Sequence, residues 1–422
     1  VSSIKVTGGV RLKGETRIQG SKNAALPVIA ASLLNKGVTV LRNCPKILDV
    51  YHMINVLEEL GCKASWEGNS LVIDTADVKS AKVSESSVRK MRSSILFLGA
   101  LIGRCHEVSI AYPGGCSIGN RPIDFHLDSI RKMNVSLNEE NGIINCQTDK
   151  ITGTDIFLKF PSVGATQNII LAAVLAEGIT RIYNAAREPE VQELCTYLEG
   201  AGARLKGKGT SFIEIEGVER LHDVEHTLSP DRIAAGTYMA AVAAAGGDAV
   251  LFDVPVHQVE AVIKVLEKTG CKIITGDRHV KISRSKRLLP YDLLKTKPYP
   301  GFPTDMQSQL MTVLSIADGK STIVEEIFDS RFQNAEELRK MGADILLRNE
   351  KTAVITGVAK LKGAEVKARD LRAGAAMVIA GLAAEGETTV NDAVIIERGY
   401  EDICRDLGNL GANIHYCGDD AG

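Results

Sequence analysis

LEELGCK, residues 57–63, returns along the chain at intervals of about 70 residues as IRKMNVS (130–136), LEGAGAR (198–204), LEKTGCK (266–272), LRKMGAD (338–344) and LGNLGAN (407–413). Each version places Leu, Ile or Met at helical spacing, and in five of the six a Gly stands where a helix would stop. The refrain therefore reads as the end of an amphipathic helix, repeated six times. Upstream of each copy lies a longer stretch of small and apolar residues: 23–34, 91–103, 165–178, 231–247, 305–319 and 371–386. These read as six buried helices. Short β-prone runs follow them, among them VTVLRN (38–43), TRIYNA (180–185) and TTVNDA (388–393). Strand-like runs such as SLVIDT (70–75), SFIEIEG (211–217), HVKISR (279–284) and AVITGV (353–358) come after the refrains, several alternating as half-buried strands do.

One unit is thus helix, strand, second helix and hairpin. Open solenoids use periods of 20–50 residues, and these units are longer. An apolar first helix is buried if three units group around a pseudo-threefold axis, so six units make two α/β domains. The boundary is expected near DVEHTLSPDR (223–232), giving a domain over 22–229 and another from 1–21 plus 230–422. The opening segment 2–20 is expected to pair as a strand with the last unit.

The bulk properties agree with a soluble globular enzyme-sized chain. The 422 residues suggest two to four domains; 24% are charged and 45% hydrophobic, and the formal net charge of -2 argues against a general nucleic-acid or membrane-surface binder. Nine cysteines without a CxxC pair, scattered along the chain, favour reduced thiols in the cytoplasm over a zinc site or a disulfide framework. No signal peptide is read in residues 1–15. The most apolar helix, 232–247, is short of the roughly 20 residues that span a bilayer.

Charge recurs with the repeat. The starts of the first helices carry Lys22 and Asn23, Arg92, Thr166 and Gln167, Asp231 and Arg232, Asp305, then Asp370 and Arg372. The loops before the second helices carry Lys46, Arg121, Arg187, His257, Arg331 and Arg398. Matching positions in symmetric domains emerge at the same end, which predicts a cleft between the domains where helix N-termini and guanidinium forks bind an anion. Two plainer readings stay open: the aspartates as N-caps and the isolated cations as solvated surface charge. A thiol, Cys116, stands on the glycine-rich run AYPGGCSIGNR (111–121), five residues before Arg121. Nearby cations favour thiolate, so this loop is the candidate for chemistry.

The motifs GSKNAALP (20–27), MRSSILFLGALIGR (91–104), PGGCSIGNRPIDFH (113–126), AAREPEVQEL (185–194), PGFPTDMQSQLM (300–311), IFDSRF (327–332), ARDLRAG (368–374) and IERGYEDI (396–403) stand in an order that resembles the enolpyruvyl transferases, specifically those acting on UDP-N-acetylglucosamine, over essentially the whole chain. The resemblance implies an inside-out α/β barrel of two domains with three repeats each and substrates between them. It also implies transfer of the enolpyruvyl group of phosphoenolpyruvate to the 3′-hydroxyl of UDP-N-acetylglucosamine, in cell-wall synthesis. On it, Lys22, Arg121 and Arg398 hold phosphoenolpyruvate and Arg92, Arg331 and Arg372 support the anion cluster. Asn23 and Asp305 meet the sugar, and Pro122, Asp124, Ser162, Val163, Gly164 and Ile327 line the UDP side. Cys116 and Asp305, with Lys22 and Arg398, are the implied catalytic set. In CPKILDV (44–50) Leu48 stands where some members carry a second lysine, so no substrate contact is assigned there. No metal or organic cofactor is expected, the partners are the two small-molecule substrates, and the chain is expected to be a monomer or weak oligomer. The alternatives are the sister enzyme acting on shikimate 3-phosphate, which lacks the PGGC loop, and a non-catalytic UDP-sugar-binding paralogue.

Overall fold

The six refrains end six helices at a residue of left-handed backbone. Gly61, Gly202, Gly270, Gly342 and Gly411 all take left-handed backbone (φ 97°, 101°, 98°, 89° and 85°), and Asn134, the residue that replaces glycine in the second unit, does the same at φ 64°. In the five glycine copies the amide after the glycine donates to the carbonyl of the refrain's first leucine, as Cys62 does to Leu57 at 3.0 Å and Ala203 to Leu198 at 2.9 Å. This is a Schellman closure, which satisfies carbonyls that the helix end leaves unpaired.

A computed structural model of the chain describes residues 3–114 and 123–418. Cys116, Arg121 and Pro122 lie outside the described residues. The first helices are α1 (Lys22–Ala31), α2 (Leu96–Cys105), α3 (Val163–Ala173), α4 (Arg232–Ala245), α5 (Gln307–Leu314) and α6 (Leu371–Ala383). Nearly every residue of each is buried. Their wealth of Ala and Gly allows close approach: a Cβ on Gly99 of α2 falls 2.5 Å from the Asn168 carbonyl oxygen of α3, and one on Gly236 of α4 falls 2.8 Å from the Met306 sulfur. Bulkier side chains have no room there.

The described residues divide into two units, one built from 3–19 together with 230–418, the other from 20–114 together with 123–229, called the Gly20–Ser229 unit below. Each has its own hydrophobic cluster. In the Gly20–Ser229 unit the last strand of each repeat pairs in parallel with the next repeat. Val224–Thr227 joins Val38–Arg42, and Asp155–Phe157 joins Ile179–Tyr183. A single bridge from Lys82 to Ser109 makes the third link. The other unit closes the same ring. Leu293–Lys295 pairs with Lys320–Val324, and Glu365–Lys367 with Glu387–Asn391. The N-terminus supplies what the sixth repeat lacks: Ser3–Thr7 pairs antiparallel with both Glu387–Asn391 and Asn413–Cys417, and Leu12–Arg17 pairs in parallel with Gly247–Phe252. The opening segment therefore completes the last repeat, as its sequence predicts. Strands alternate in burial, Ser3–Thr7 and Ser70–Asp74 for instance, so each sheet lays one face on its helices. Among the described residues no helix is long and apolar enough to cross a membrane.

The start of the third helix differs from its sequence reading. It begins at Val163 with Ser162 as N-cap, so Thr166 and Gln167 lie inside the helix and are buried. Thr166 Oγ1 accepts a hydrogen bond from the Ala186 amide at 3.1 Å. Two polar side chains thus serve the interior of the unit because the cap is set four residues earlier by a serine.

Candidate active site

The three aspartates that open α4, α5 and α6 occupy one place in the repeat and do different work. Asp231 Oδ1 accepts from the Ile233 and Ala234 amides at 2.7 and 3.0 Å, and Asp370 Oδ1 accepts from Arg372 and Ala373 at 2.8 and 2.9 Å. Both are N-caps. Asp305 sits instead inside the turn Thr304–Met306 that precedes α5, and the capping position there is Pro303, which has no side-chain hydrogen bond to give. Its carboxylate turns to cations: Arg331 Nη2 donates to Oδ1 at 2.8 Å, and Arg372 donates to Oδ2 through Nε at 3.3 Å and Nη2 at 3.1 Å. The arginine side chains are 3% and 4% exposed, the aspartate 28%. One carboxylate therefore gathers two buried guanidiniums and keeps an open edge.

Behind this cluster stands Tyr400. Arg372 Nη1 donates to its hydroxyl at 3.5 Å, and that oxygen lies 2.8 Å from Thr237 Oγ1, which in turn accepts from Gln309 Nε2 at 3.1 Å. Burial opposes the charge of Arg372, but Asp305 foremost, then Tyr400 and Asp231, outweigh it and hold the guanidinium pKa above its ordinary value. Burial likewise pushes the Tyr400 phenol up, against the opposing pull of Arg372 and Thr237. Arg398 ends the turn Ala393–Arg398 and is half-buried. The backbone beyond it is clamped by Gln19, whose Nε2 donates to the Gly399 carbonyl at 3.0 Å and whose Oε1 accepts from the Glu401 amide at 2.8 Å. Ile327 lies in a half-buried turn shaped by Glu325.

In the Gly20–Ser229 unit, Lys22 is the first residue of α1, capped by Ser21 through the Ala24 amide. Its ammonium lies 2.8 Å from Asp49 Oδ2, with exposures of 10% and 2%. Asn23 beside it is half-buried. Arg92 opens the turn Arg92–Ile95 that leads into α2. Asp124 opens the helix Asp124–Lys132, and Ser162, Val163 and Gly164 open α3, which packs against it. His126 links the two starts: it approaches to 3.0 Å of where a Gly164 Cβ would stand, and its Nδ1 lies 2.7 Å from Asn168 Nδ2. Asn168 also spans to α2, accepting from the Gly99 amide at 2.8 Å and donating to the Ile95 carbonyl at 3.0 Å. Asp124 and Ser162–Gly164 are thereby brought to neighbouring helix N-termini, whose amide groups favour anions.

The basic residues of the second set are not equivalent. Arg331 is buried on Asp305, but Lys46 and Arg187 are exposed and the His257 side chain is 97% exposed beside Glu260. Lys46 lies over the Trp66 ring at 5.3 Å and Arg187 donates to the Gly209 carbonyl. Surface charge, the plainer reading, holds for these three, whose side chains are exposed where Arg331 is buried. Four contributors escaped the sequence reading: Asp49, Gln19, Tyr400 and Glu325. Each stands inside or beside a quoted motif, yet each acts through a residue distant in sequence, which one chain's spacing does not reveal.

With two three-repeat units, each closed by strand exchange around buried helices, and buried cations gathered on one acidic side chain, the chain has the architecture of an anion-handling α/β transferase. It belongs to the EPSP synthase (3-phosphoshikimate 1-carboxyvinyltransferase) family, whose model matches residues 6–407. It is 49% identical, over 98% of its length and 99% of the relative's, to UDP-N-acetylglucosamine 1-carboxyvinyltransferase 2 of Caldanaerobacter subterraneus subsp. tengcongensis. It is 46% identical to UDP-N-acetylglucosamine 1-carboxyvinyltransferase 1 of Carboxydothermus hydrogenoformans, over 97% of both chains. Among solved structures the fold matches the enolpyruvyl transferase NikO from Streptomyces tendae (TM-score 0.89, 24% identity, 99% of both chains). It also matches EPSP synthase from Acinetobacter baumannii (TM-score 0.77, 18% identity, 99% of this chain and 100% of that one). The fold is that of the enolpyruvyl transferases.

Proposed function

We propose that this protein transfers the enolpyruvyl group of phosphoenolpyruvate to the 3′-hydroxyl of UDP-N-acetylglucosamine and releases phosphate, a step of peptidoglycan synthesis. The observation that carries this is the near-full-length identity of 49% to a relative named for that reaction. The family model's own description names shikimate 3-phosphate chemistry, but the relatives' names and the PGGC run at 113–116 both favour the nucleotide sugar.

The chemistry needs two groups of opposite duty. Cys116 gives a proton to the methylene carbon of phosphoenolpyruvate, which makes the neighbouring carbon electrophilic, and the thiolate left behind adds there reversibly. Asp305 takes the proton of the sugar hydroxyl as its oxygen attacks. The tetrahedral intermediate then loses a proton from its new methyl group and expels phosphate. Lys22, Arg121 and Arg398 hold the phosphoenolpyruvate, and Arg92, Arg331 and Arg372 stabilise the charge that moves onto the departing phosphate. Asn23 and Asp305 receive the sugar, while Pro122, Asp124, Ser162, Val163, Gly164 and Ile327 receive the UDP. In support, Asp305 is the one of the three repeat-matched aspartates that is not spent on capping a helix. Both its oxygens are engaged by arginines, so a substrate hydroxyl competes with Arg331 or Arg372 for them.

The same reading places the protein in the cytoplasm as a monomer or weak oligomer, away from nucleic acid and membranes. It is tested by phosphate release from phosphoenolpyruvate with either acceptor. Release with UDP-N-acetylglucosamine and none with shikimate 3-phosphate is the expected result; the reverse pattern overturns it, and nucleotide-sugar binding without release points to a silent paralogue.

A further inference from the structure

Glu325 is fully buried at the end of the strand Lys320–Val324 and accepts four hydrogen bonds. Oε1 takes the Thr296 hydroxyl at 2.8 Å, the Ile327 amide at 2.9 Å and the Phe328 amide at 3.2 Å; Oε2 takes the Thr304 hydroxyl at 2.9 Å. Besides Thr296, which follows the strand Leu293–Lys295, these partners fall on two segments. Thr304 immediately precedes Asp305. Ile327 and Phe328 open the turn that delivers Arg331, whose guanidinium lies 5.7 Å from the Phe328 ring centroid. The ion pair of Asp305 with Arg331 joins the same two segments from the exposed side.

We propose that Glu325 is a positioning residue for the enolpyruvyl transfer, fixing the Asp305 carboxylate relative to Arg331 and shaping the Ile327 turn. The inference rests on the function proposed above for Asp305. Arg331 and Arg372, which hold the Asp305 carboxylate, are cations that the reaction itself engages, so a tie from the interior keeps its segment in register as those contacts loosen. Glu325 supplies that tie from the interior, where no substrate competes for it. A carboxylate suits the task because two oxygens accept several donors at once, whereas a buried hydroxyl or amide at this place leaves donors unpaired. Thr296, itself buried, is fixed in turn by its amide on the Val324 carbonyl at 3.0 Å, and its hydroxyl also accepts the Glu326 amide at 2.9 Å. The clamp is therefore anchored in the sheet.

The test uses Thr304→Val, Thr304→Ser and Glu325→Ala in the whole protein. Thr304→Val removes one hydroxyl at constant volume and spares the strand. Its kcat is expected to fall at least tenfold, since misplacing a reacting group by about 1 Å costs about 100-fold. The thermal midpoint should stay near the parent's, and Thr304→Ser should recover the rate. Glu325→Ala should lower kcat further if it folds. Parent kcat in Thr304→Val overturns the proposal, as does a Thr304→Ser as slow as the valine variant. A crystal structure of Thr304→Val gives a readout independent of turnover: Asp305 displaced from Arg331 supports the proposal, and the pair unchanged at 2.8 Å overturns it. A parent protein that releases no phosphate sinks the functional reading instead, and the crystal result alone then decides the positioning role.

Discussion

Asp305 and Arg372 meet through a single carboxylate oxygen, Oδ2, which receives both Nε and Nη2 of the guanidinium, while Arg331 holds Oδ1. Two cations, each less than a twentieth exposed, thus share one acidic partner. Removing that partner leaves charge buried. Asp305→Ala is expected to lower stability by about 3 kcal/mol, the low end of the cost of breaking a buried pair because Tyr400 still faces Arg372. Phosphate release should fall with it. Denaturant melts and the release assay check the two halves separately, and near-normal turnover removes Asp305 from the mechanism.

Asp370 has the same place in its repeat but only a capping duty in the contacts described above. Asp370→Ala should therefore cost about 1 kcal/mol, with Asp370→Ser recovering most of it, because a serine hydroxyl accepts the same amide hydrogen bonds. Denaturant midpoints of the three proteins measure this. A serine variant as weak as the alanine one contradicts the cap.

Lys22 and Asp49 make the corresponding prediction for the other unit. The ammonium is proposed to hold phosphoenolpyruvate, and Asp49, 2% exposed, fixes it from below. In Asp49→Ala the lysine keeps its charge but loses its anchor, so KM for phosphoenolpyruvate should rise about tenfold, the effect of losing about 1.4 kcal/mol of binding. KM for UDP-N-acetylglucosamine should hardly move. Equal rises in both KM values argue for a general disturbance of α1 instead.

Gly99 tests the packing of the first helices. A methyl group there meets the Asn168 carbonyl oxygen at 2.5 Å and its Oδ1 at 2.6 Å. The collision also pushes out the Asn168 side chain that ties α2 to α3 and to His126. Gly99→Ala, normally favourable inside a helix, should instead destabilise by about 1–3 kcal/mol, the usual range for overpacking. A raised melting temperature would rule out the close approach.

The fold was legible because it repeats. Leucine spacing and a glycine stop recur six times, and even the exception, Asn134, follows the same left-handed geometry since asparagine tolerates it better than most residues. Three-repeat grouping follows from the need to bury alanine-rich helices. The site was legible only in part. Residue type at a repeat position could not separate Asp305 from Asp231 and Asp370, because the difference lies in whether the preceding residue leaves the aspartate in the capping place. Nor could it separate Arg331 from Arg187 and His257, whose burial depends on finding a carboxylate across the fold. Asp49, Gln19 and Glu325 act over 27, 380 and about 20 to 30 residues of chain respectively, beyond any local pattern.

The thiols give the last prediction. Burial raises the pKa of Cys62 and Cys271 to about 11 and of Cys146, Cys195 and Cys404 to about 12. A thiol is neutral when protonated, so between the unfolded value near 9 and these folded values the native state binds more protons than the unfolded chain. Stability is then fully present below pH 9 and is lost as pH rises towards 11 or 12, each such thiol contributing a slope of about 1.4 kcal/mol per pH unit. Unfolding free energy measured from pH 8 to 10.5 should stay level at first and then drop steeply. Cys195→Ala, which deletes one titrating group from the core, should flatten the alkaline limb by about that single-thiol slope even though it lowers stability at pH 8. Alkylation of the native protein at pH 8 should for the same reason spare these five positions, while Cys116, the thiol proposed to react with phosphoenolpyruvate, should account for a label that Cys116→Ser loses. An alkaline limb of unchanged slope in Cys195→Ala, or rapid native labelling of Cys146 or Cys404, contradicts the burial of these thiols.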